Sequence, residues 1–309
     1  MGYTLSVRQA NQVNKSHNRR DNETVSRQNK KDVEEGLEAH IDPNGRYEVL
    51  IDKSQTEALH ELLDGAIEDY NRKQKRKDRK TSYEKVIGTF LGKPNTQIEY
   101  ETIITVGNQS DRPNDEECER LLKAAYRTFQ AANPNLKITG AYIHFDEPGA
   151  APHLHIDYIP WHHKRENGRG VDVQLGMKGA LEEMGYTNEK GFGTKEARQE
   201  GARAQFSDKM REIMKEMVEN RGIEVVPGQS KGKAHKDPSM YKKEEMAEKV
   251  KKKVSKEIES TYNLMMLKML LEDKDIKQQY LDLVEDYRDV AEEILENEYK
   301  EIDNGMTKE

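Results

Sequence analysis

Short apolar segments bounded by turn-forming residues predict the strands of a sheet. In the first segment, YTLSVRQ, hydrophobic and polar residues alternate, which is the period of two expected for a strand with one buried face. Further strands are predicted for Tyr47–Ile51, which follows a Pro-Asn-Gly turn, and for the segments TQIEYETIITVG, LKITGAYIHFD and HLHIDYIP. Because only the turn at Pro148–Ala151 separates the last two segments, they predict a hairpin in the middle of the chain.

Helices are predicted where apolar residues recur every three to four positions. One helix begins with the capping box of Ser54 and Glu57. Its apolar face is formed by Leu59, Leu62, Leu63 and Ile67. The segment DEECERLLKAAYRTFQAANPN predicts a second helix, and further helical stretches lie around Met177–Met184 and Thr194–Arg221. The segment that begins NKSHNRR is polar and turn-prone, and WHHKRENGRGVDVQ is predicted to be a loop.

This order of elements predicts an α+β fold, in which helices flank a largely antiparallel sheet. We expect one folded domain over residues 1–225, a linker over 226–240 and a charged helical tail over 241–309. Apolar residues in the tail are irregularly spaced, so the tail is compatible with a coiled coil but predicts no strict heptad.

Charge and cysteine content narrow the classes of function. Charged residues make up 35% of the chain and the net charge is −7, which argues against a uniformly cationic DNA coat but permits a local basic face. Residues 241–309 hold 13 basic and 19 acidic residues, so most of the negative charge lies in the tail. The single cysteine, Cys118, excludes a disulfide framework within one chain and fits a cytoplasmic protein. Neither a signal-peptide core nor a membrane helix of ~20 apolar residues is present, so no membrane insertion is expected.

Three of the nine histidines lie in the predicted hairpin. Because alternate residues of a strand share a face, His153 and His155 point the same way as Asp157. His144 lies on the polar face of the preceding strand, so pairing of the two strands would bring the three imidazoles together. Neutral imidazoles bind divalent metals and leave coordination positions open for water or a substrate oxygen.

A metal site competes here with a buried polar core and with unrelated histidines. Three histidines on one predicted face would repel one another if all were charged, which favours the metal. Asp146, Glu147 and Asp157 could accept hydrogen bonds that fix the histidine tautomers. His162 and His163, which follow the strand, are expected to be loop residues.

The segment HFDEPGAAPHLH resembles the HxDExxPHxH motif of MobV-type plasmid mobilisation relaxases, also called Mob/Pre plasmid recombination proteins, in the HUH endonuclease superfamily. The resemblance implies an HUH-type domain whose sheet carries His144, His153 and His155 as ligands of Mn²⁺ or Mg²⁺. Glu147 matches the motif glutamate and is implied to be catalytic. Four residues separate Glu147 from Pro152, where the family usually has two, and the insertion is expected to lengthen the turn.

A second motif, His17-Asn18-Arg19-Arg20, matches the HNxR motif near the N-terminus of the same family. The resemblance implies that His17 is the nucleophile that attacks a DNA phosphate, giving a phosphohistidine and a free 3′-hydroxyl. Arg20 would bind phosphate or neutralise charge in the transition state. A tyrosine nucleophile is the competing hypothesis, with Tyr3 and Tyr47 as the candidates. The resemblance covers roughly residues 1–240.

DNA contacts need lysine and arginine, because each phosphate contact releases counterions. The run NRKQKRKDRK has seven basic residues in ten, and a second basic group follows the histidine hairpin. The residues assigned to DNA are Asn18, Arg72, Lys73, Lys75, Arg76, Lys164, Arg165 and Arg169. The competing interpretation of the run is a solvated helix end. Lys231, Lys233 and Lys236 could also follow DNA.

The leading hypothesis is a metal-dependent relaxase. It would nick one strand at the origin of transfer of a mobile element, stay attached to the 5′ end and later rejoin the strand. Its expected partner is single-stranded or hairpin origin DNA, and the tail would serve homodimerisation or contact conjugative coupling machinery. The alternatives are a rolling-circle replication initiator, which the motifs do not separate, and a non-catalytic DNA-binding protein with a structural metal.

Overall fold

The computed structural model describes residues 2–10, 12–34, 41–92, 97–108, 111–148, 150–187, 200–227, 251–256, 259–260 and 285. The chain divides into two units, Met1–Gln229 and Ser230–Glu309. In the second unit, residues 251–256 and 259–260 are helical. Most of the predicted linker and tail lies outside the described residues, so the predicted boundaries 1–225, 226–240 and 241–309 stay predictions.

The first unit combines eight described strands with seven described α-helices. The strands are β1 (Gly2–Tyr3), β2 (Leu5–Gln9), β3 (Tyr47–Asp52), β4 (Tyr100–Val106), β5 (Leu136–His144), β6 (His153–His163), β7 (Val173–Leu175) and β8 (Glu224–Val225). The helices are α1 (Lys15–Asn18), α2 (Asn22–Glu34), α3 (Gln55–Arg72), α4 (Tyr83–Leu91), α5 (Asp115–Ala132), α6 (Met177–Glu183) and α7 (Ala202–Glu219), with a 3-10 turn at Lys77–Arg79.

A six-stranded sheet with the path β2-β4-β6-β5-β3 forms the centre of this unit, and β7 pairs with β6 beside that path. Every pairing in it is antiparallel. Strands β5 and β6 are hydrogen-bonded neighbours, with His144 opposite His153 and Tyr142 opposite His155. The predicted α+β fold, antiparallel sheet and central hairpin are confirmed. A separate two-stranded parallel sheet joins β1 to β8.

One face of the sheet packs against α5 and α7 and forms the main core. Leu154, Ile156 and Tyr158 of β6 are fully buried there, against side chains such as Phe129 of α5 and Met210 of α7. Each large apolar side chain buried in this way contributes about 1.5–3 kcal/mol to folding. The face of β6 predicted to be apolar is therefore the core face, and the opposite face carries His153, His155 and Asp157.

A second hydrophobic cluster holds α3. Ser54 caps this helix as predicted, because its side chain accepts a hydrogen bond from the backbone N–H of Glu57. Leu59, Leu63 and Ile67 are buried in the cluster, and Ile159 of β6 packs with them.

Four stretches differ from the sequence expectations. YTLSVRQ falls into two strands instead of one, and the polar segment after residue 12, predicted to be turn-prone, forms α1 and α2. The segment predicted as the loop WHHKRENGRGVDVQ begins as strand, because β6 continues through His163 and pairs with β7. Helix α4, which follows the basic run, had no predicted counterpart. Among the described residues, no helix has the length and apolarity needed to cross a membrane.

Candidate active site

The three hairpin histidines meet on the polar face of the sheet. His144, His153 and His155 are 1%, 8% and 5% exposed. Their ring centroids are 5.3 Å apart for His144 and His153, 4.6 Å for His144 and His155, and 4.8 Å for His153 and His155. The pleat of two antiparallel strands in this register places all three rings on one side, so their predicted clustering is confirmed.

Two ring nitrogens in this cluster are buried and have no hydrogen-bond partner in the described part of the chain, namely His144 Nδ1 and His155 Nε2. A buried nitrogen without a partner is costly unless something else fills its coordination position. Burial lowers the pKa of His144 to about 4, which keeps its imidazole neutral and its lone pair available at neutral pH. Both observations fit a divalent cation.

The N-terminal motif is brought to the same place. His17 lies on α1, a single turn capped by Asn14, whose side chain accepts a hydrogen bond from the His17 backbone N–H. The His17 ring centroid is 5.5 Å from that of His144 and 5.9 Å from that of His155. Gln28 of α2 lies 3.1 Å from His17 Nδ1 through its Oε1. Two motifs more than 120 residues apart thus form one buried site.

Arg20 of the N-terminal motif forms ion pairs with Asp146 and Glu147 of the hairpin motif. Its guanidinium donates to both carboxylate oxygens of Asp146, at 2.8 and 2.6 Å, and to Glu147 at 2.9 Å. It also donates to the backbone carbonyl of His17 at 3.0 Å and lies 3.2 Å from His17 Nε2. The backbone of Arg20, between α1 and α2, has φ +59°, a left-handed conformation that is uncommon for residues other than glycine.

The Glu147 carboxylate lies at the centre of the histidines. Its Oε1 is 3.1 Å from His17 Nε2, 3.4 Å from His144 Nδ1 and 3.5 Å from His153 Nε2. Burial would raise the pKa of Glu147, but the charge of His153 and the polar contacts of the surrounding histidines hold it well below its usual value. The longer turn before Pro152 therefore does not remove Glu147 from the cluster.

A cation could be held by one group of described side chains in particular. Ligand atoms of His17, His144, Glu147 and His155 all lie within 4.8 Å of one another. This group differs from the predicted triad of His144, His153 and His155, since it contains His17 and Glu147 and leaves out His153. His153 remains beside it through its contact with Glu147.

Three residues have partners other than the predicted ones. Asn18, assigned to DNA, is fully buried and donates its amide to Glu101 at 2.9 Å and to Asp157 at 3.1 Å, so it does not face solvent. Asp146 binds Arg20 and Asp157 binds Asn18, and in the described contacts neither is bonded to a histidine. Burial, followed by the charge of Glu101, raises the pKa of Asp157 to about 7.

Two residues that contact the clustered histidines were not predicted from the sequence. Glu101 is 3% exposed and forms a short hydrogen bond with His155 Nδ1. Its signal in the sequence is an acidic residue within the otherwise apolar strand YETIITV. Gln28 carries no comparable signal, because it lies in a polar segment among other polar residues.

The predicted basic DNA contacts are distributed over the surface of the first unit. Arg72 ends α3, and Lys73, Lys75 and Arg76 follow it, all of them exposed. Arg72 pairs with Asp69 and Arg76 with Asp78, as a solvated helix end would.

The second basic group lies between β6 and β7. Lys164 is half-buried, whereas Arg165 and Arg169 are exposed, and Arg165 contacts Glu182. Lys231, Lys233 and Lys236 lie outside the described residues.

The candidate tyrosines and the two histidines after the hairpin lie at different distances from the histidine cluster. Tyr47 is 42% exposed and stands opposite His144 across the β3–β5 pair, whereas Tyr3 belongs to the separate two-stranded sheet. His162 and His163 continue β6 away from the cluster, and His163 lies about 26 Å along the strand from His155. They do not join the site.

The fold and site define an α+β protein with a buried histidine–carboxylate centre that could hold a divalent cation. The chain belongs to the Mob/Pre family, described as plasmid recombination enzymes, whose family model matches residues 7–243. The family predicted from the two motifs is thereby confirmed.

Solved structures with similarity to the chain include crystal structures of the MobM relaxase domain (MOBV; Mob_Pre), Mn-bound and in complex with oriT DNA of plasmid pMV158. One, at pH 6.8 with a 3′-thiophosphate on the 22-nucleotide DNA, is 18% identical, covers 78% of this chain and 98% of that chain, and has a TM-score of 0.41. A second, at pH 5.5, is 16% identical with the same coverages and a TM-score of 0.38. Curated proteins gave no match.

Proposed function

We propose that this chain is a relaxase that nicks one DNA strand at an origin of transfer and rejoins it through a covalent bond to His17. Membership of the plasmid recombination enzyme family supports DNA strand transfer as the class of reaction. The observation that carries the proposal is the position of His17, a buried imidazole among the clustered histidines and beside Arg20 and Glu147.

The Gln28 contact favours Nε2 of His17 as the attacking atom. The Gln28 side-chain oxygen can only accept, so it favours a proton on Nδ1. Arg20 Nη1 lies 3.2 Å from Nε2 and 3.4 Å from Nδ1, so it does not distinguish the two nitrogens. Glu147 Oε1, 3.1 Å from Nε2, would have to turn to a bound cation to leave that lone pair free. A neutral imidazole in this tautomer is the form that can attack phosphorus.

The proposed reaction needs only His17, the DNA phosphodiester and water as reactants. Nε2 bonds to the phosphorus of the scissile phosphodiester, and the bond from phosphorus to the 3′ oxygen breaks. The leaving oxygen keeps the electron pair and takes a proton from water, which gives a free 3′-hydroxyl and a 5′-phosphate attached to His17. Attack by a 3′-hydroxyl on the same phosphorus reverses the step. Arg20 exchanges its contact with Nε2 for a phosphate oxygen and offsets the charge of the transition state.

His144, His153 and His155, with Glu147 between them, would hold Mn²⁺ or Mg²⁺. A bound divalent cation supplies Lewis-acid polarisation of the phosphate oxygens. We further propose that exposed Lys73 and Lys75 and the Lys164–Arg169 loop contact the phosphates of origin DNA. We also propose that the tail mediates homodimerisation or contacts conjugative coupling machinery.

The test is cleavage of supercoiled plasmid that carries the DNA flanking the chain's own coding sequence, with Mn²⁺ or Mg²⁺. Wild type and Tyr47→Phe should give nicked plasmid with protein attached under denaturing conditions, and His17→Ala should give neither. Nicking that persists in His17→Ala and disappears in Tyr47→Phe would move the nucleophile to Tyr47. DNA binding without nicking by wild type, with either metal, would contradict the enzymatic proposal.

A further inference from the structure

We propose that Glu101 and Asn18 are positioning residues, which fix the ring tautomers of His155 and His144 and direct one nitrogen of each ring to the cation site. The inference rests on the cation site of the proposed function and is independent of which residue is the nucleophile. Neither residue would touch the cation or the DNA, so each would act through a histidine.

Glu101 fixes His155. The carboxylate accepts one hydrogen bond from the Asn18 amide at 2.9 Å and contacts His155 Nδ1 through the same oxygen, Oε1. In its ionised form the Glu101 carboxylate can only accept, so His155 then carries its proton on Nδ1. Its lone pair is then on Nε2, which is one of the two buried nitrogens without a partner in the described residues.

Asn18 fixes His144 through its backbone. The Asn18 carbonyl lies 3.0 Å from His144 Nε2, and because a carbonyl can only accept, this nitrogen must donate. The lone pair of His144 is then on Nδ1, the other buried nitrogen without a hydrogen-bond partner in the described part of the chain. Glu147 Oε1, which could share a cation with this nitrogen, lies 3.4 Å away. The two orphaned atoms are thus the two that the tautomers leave unprotonated.

Asn18 connects the contacts of His155 and His144 with His17. The Asn18 side chain holds Glu101 while its carbonyl holds His144, and its neighbour in sequence is His17. Asn18 is itself fixed by α1, where its N–H donates to the Asn14 carbonyl at 2.9 Å. The position of His17 relative to the two histidines therefore depends on one buried asparagine. His153 needs no such side chain, because its Nδ1 lies 2.9 Å from the Ala151 carbonyl.

The competing explanation is structural: Glu101 could serve only to accept the buried Asn18 amide. The two explanations predict different effects of mutating Asp157. It stands opposite Glu101 across the β4–β6 pair, is fully buried and also accepts from Asn18, yet in the described contacts it bonds no histidine. A purely structural role predicts similar effects of removing either carboxylate, whereas positioning predicts an effect on His155 only from Glu101.

The experiment uses the full chain and two measurements. Long-range ¹⁵N NMR of the metal-free protein reports which nitrogen of each histidine is protonated. Isothermal titration with Mn²⁺ reports the dissociation constant. In wild type and Asp157→Asn, His155 should be protonated on Nδ1 alone. In Glu101→Leu the tautomers should mix, and the dissociation constant should rise about 10- to 100-fold, as for other residues that orient metal ligands. Glu101→Gln, which retains an oxygen acceptor, should keep the tautomer and lose less affinity.

Several results would overturn the proposal. One is a single Nδ1–H tautomer of His155 in Glu101→Leu with unchanged Mn²⁺ affinity, and another is an equal effect of Asp157→Asn on the His155 spectrum. If Glu101→Leu does not fold, Glu101→Gln provides the test. A mixture of His155 tautomers in Glu101→Gln would contradict the proposal that an oxygen acceptor at this position fixes the ring. If wild type binds no Mn²⁺, the cation site of the proposed function fails, while the NMR spectra still show whether Glu101 sets the tautomer.

Discussion

At the scale of single residues, the His17 imidazole is held at both ring nitrogens. Gln28 contacts Nδ1 at 3.1 Å, and Arg20 and Glu147 contact Nε2 at 3.2 and 3.1 Å. The residue is also buried, at 9% exposure. An imidazole fixed in this way needs little reorientation before it attacks, and the loss of one orienting contact should slow the reaction without abolishing it.

We therefore expect Gln28→Leu to lower the nicking rate by about 2- to 10-fold, because one orienting hydrogen bond contributes roughly 0.5–1.5 kcal/mol. Gln28→Glu, which retains an acceptor for the Nδ1 proton, should lose less. Single-turnover nicking of a saturating origin oligonucleotide gives the rate. Equal rates for Gln28→Leu and wild type would show that this contact does not orient the nucleophile.

At the scale of elements, the alternation of polar and apolar residues in the strands predicted most of what the sequence revealed about the site. Alternation in HLHIDYIP predicted that Leu154 and Ile156 face the core and that His153 and His155 face the site, and β6 has this arrangement. Helix α2 could not be predicted in the same way, because it is strongly polar and of its described side chains only Thr24 is buried. Gln28 of this helix reaches His17 only through the tertiary fold, and no periodic pattern in the sequence indicates that contact.

The two faces of β6 should be separable by mutation. Ile156→Ala should lower the free energy of unfolding by about 2–5 kcal/mol, since it leaves a cavity in the main core, while retaining Mn²⁺ binding in the folded protein. His155→Ala should remove most Mn²⁺ binding. Denaturant unfolding and isothermal titration measure the two effects. Loss of Mn²⁺ affinity in folded Ile156→Ala would contradict the division of the strand into a core face and a site face.

At the scale of the whole molecule, every residue of the proposed centre lies in the unit Met1–Gln229. The order of the motifs along the chain did not indicate how they meet. They meet because β5 and β6 are inner strands of the sheet, and α1 places His17 and Asn18 against their polar face. The sequence predicted the hairpin centre through periodicity, but the approach of His17 was implied only by the resemblance to the family.

A fragment that ends at residue 229 should consequently fold and bind Mn²⁺ with the affinity of the full chain, because both hydrophobic clusters and the centre lie within it. Circular dichroism and isothermal titration are the measurements. An unfolded fragment, or one whose Mn²⁺ affinity is more than tenfold weaker, would show that residues after 229 are needed to complete the unit.

The central claim is that His17 becomes covalently attached to DNA, and its most direct test is mass spectrometry of the adduct. The full chain is incubated with Mn²⁺ and a single-stranded origin oligonucleotide, digested with nuclease and protease, and the modified peptide is sequenced. We predict a phosphate-linked nucleotide on His17, with the acid lability of a phosphorus–nitrogen bond. An acid-stable adduct on Tyr47 or another tyrosine, or cleavage with no adduct at all, would contradict the account.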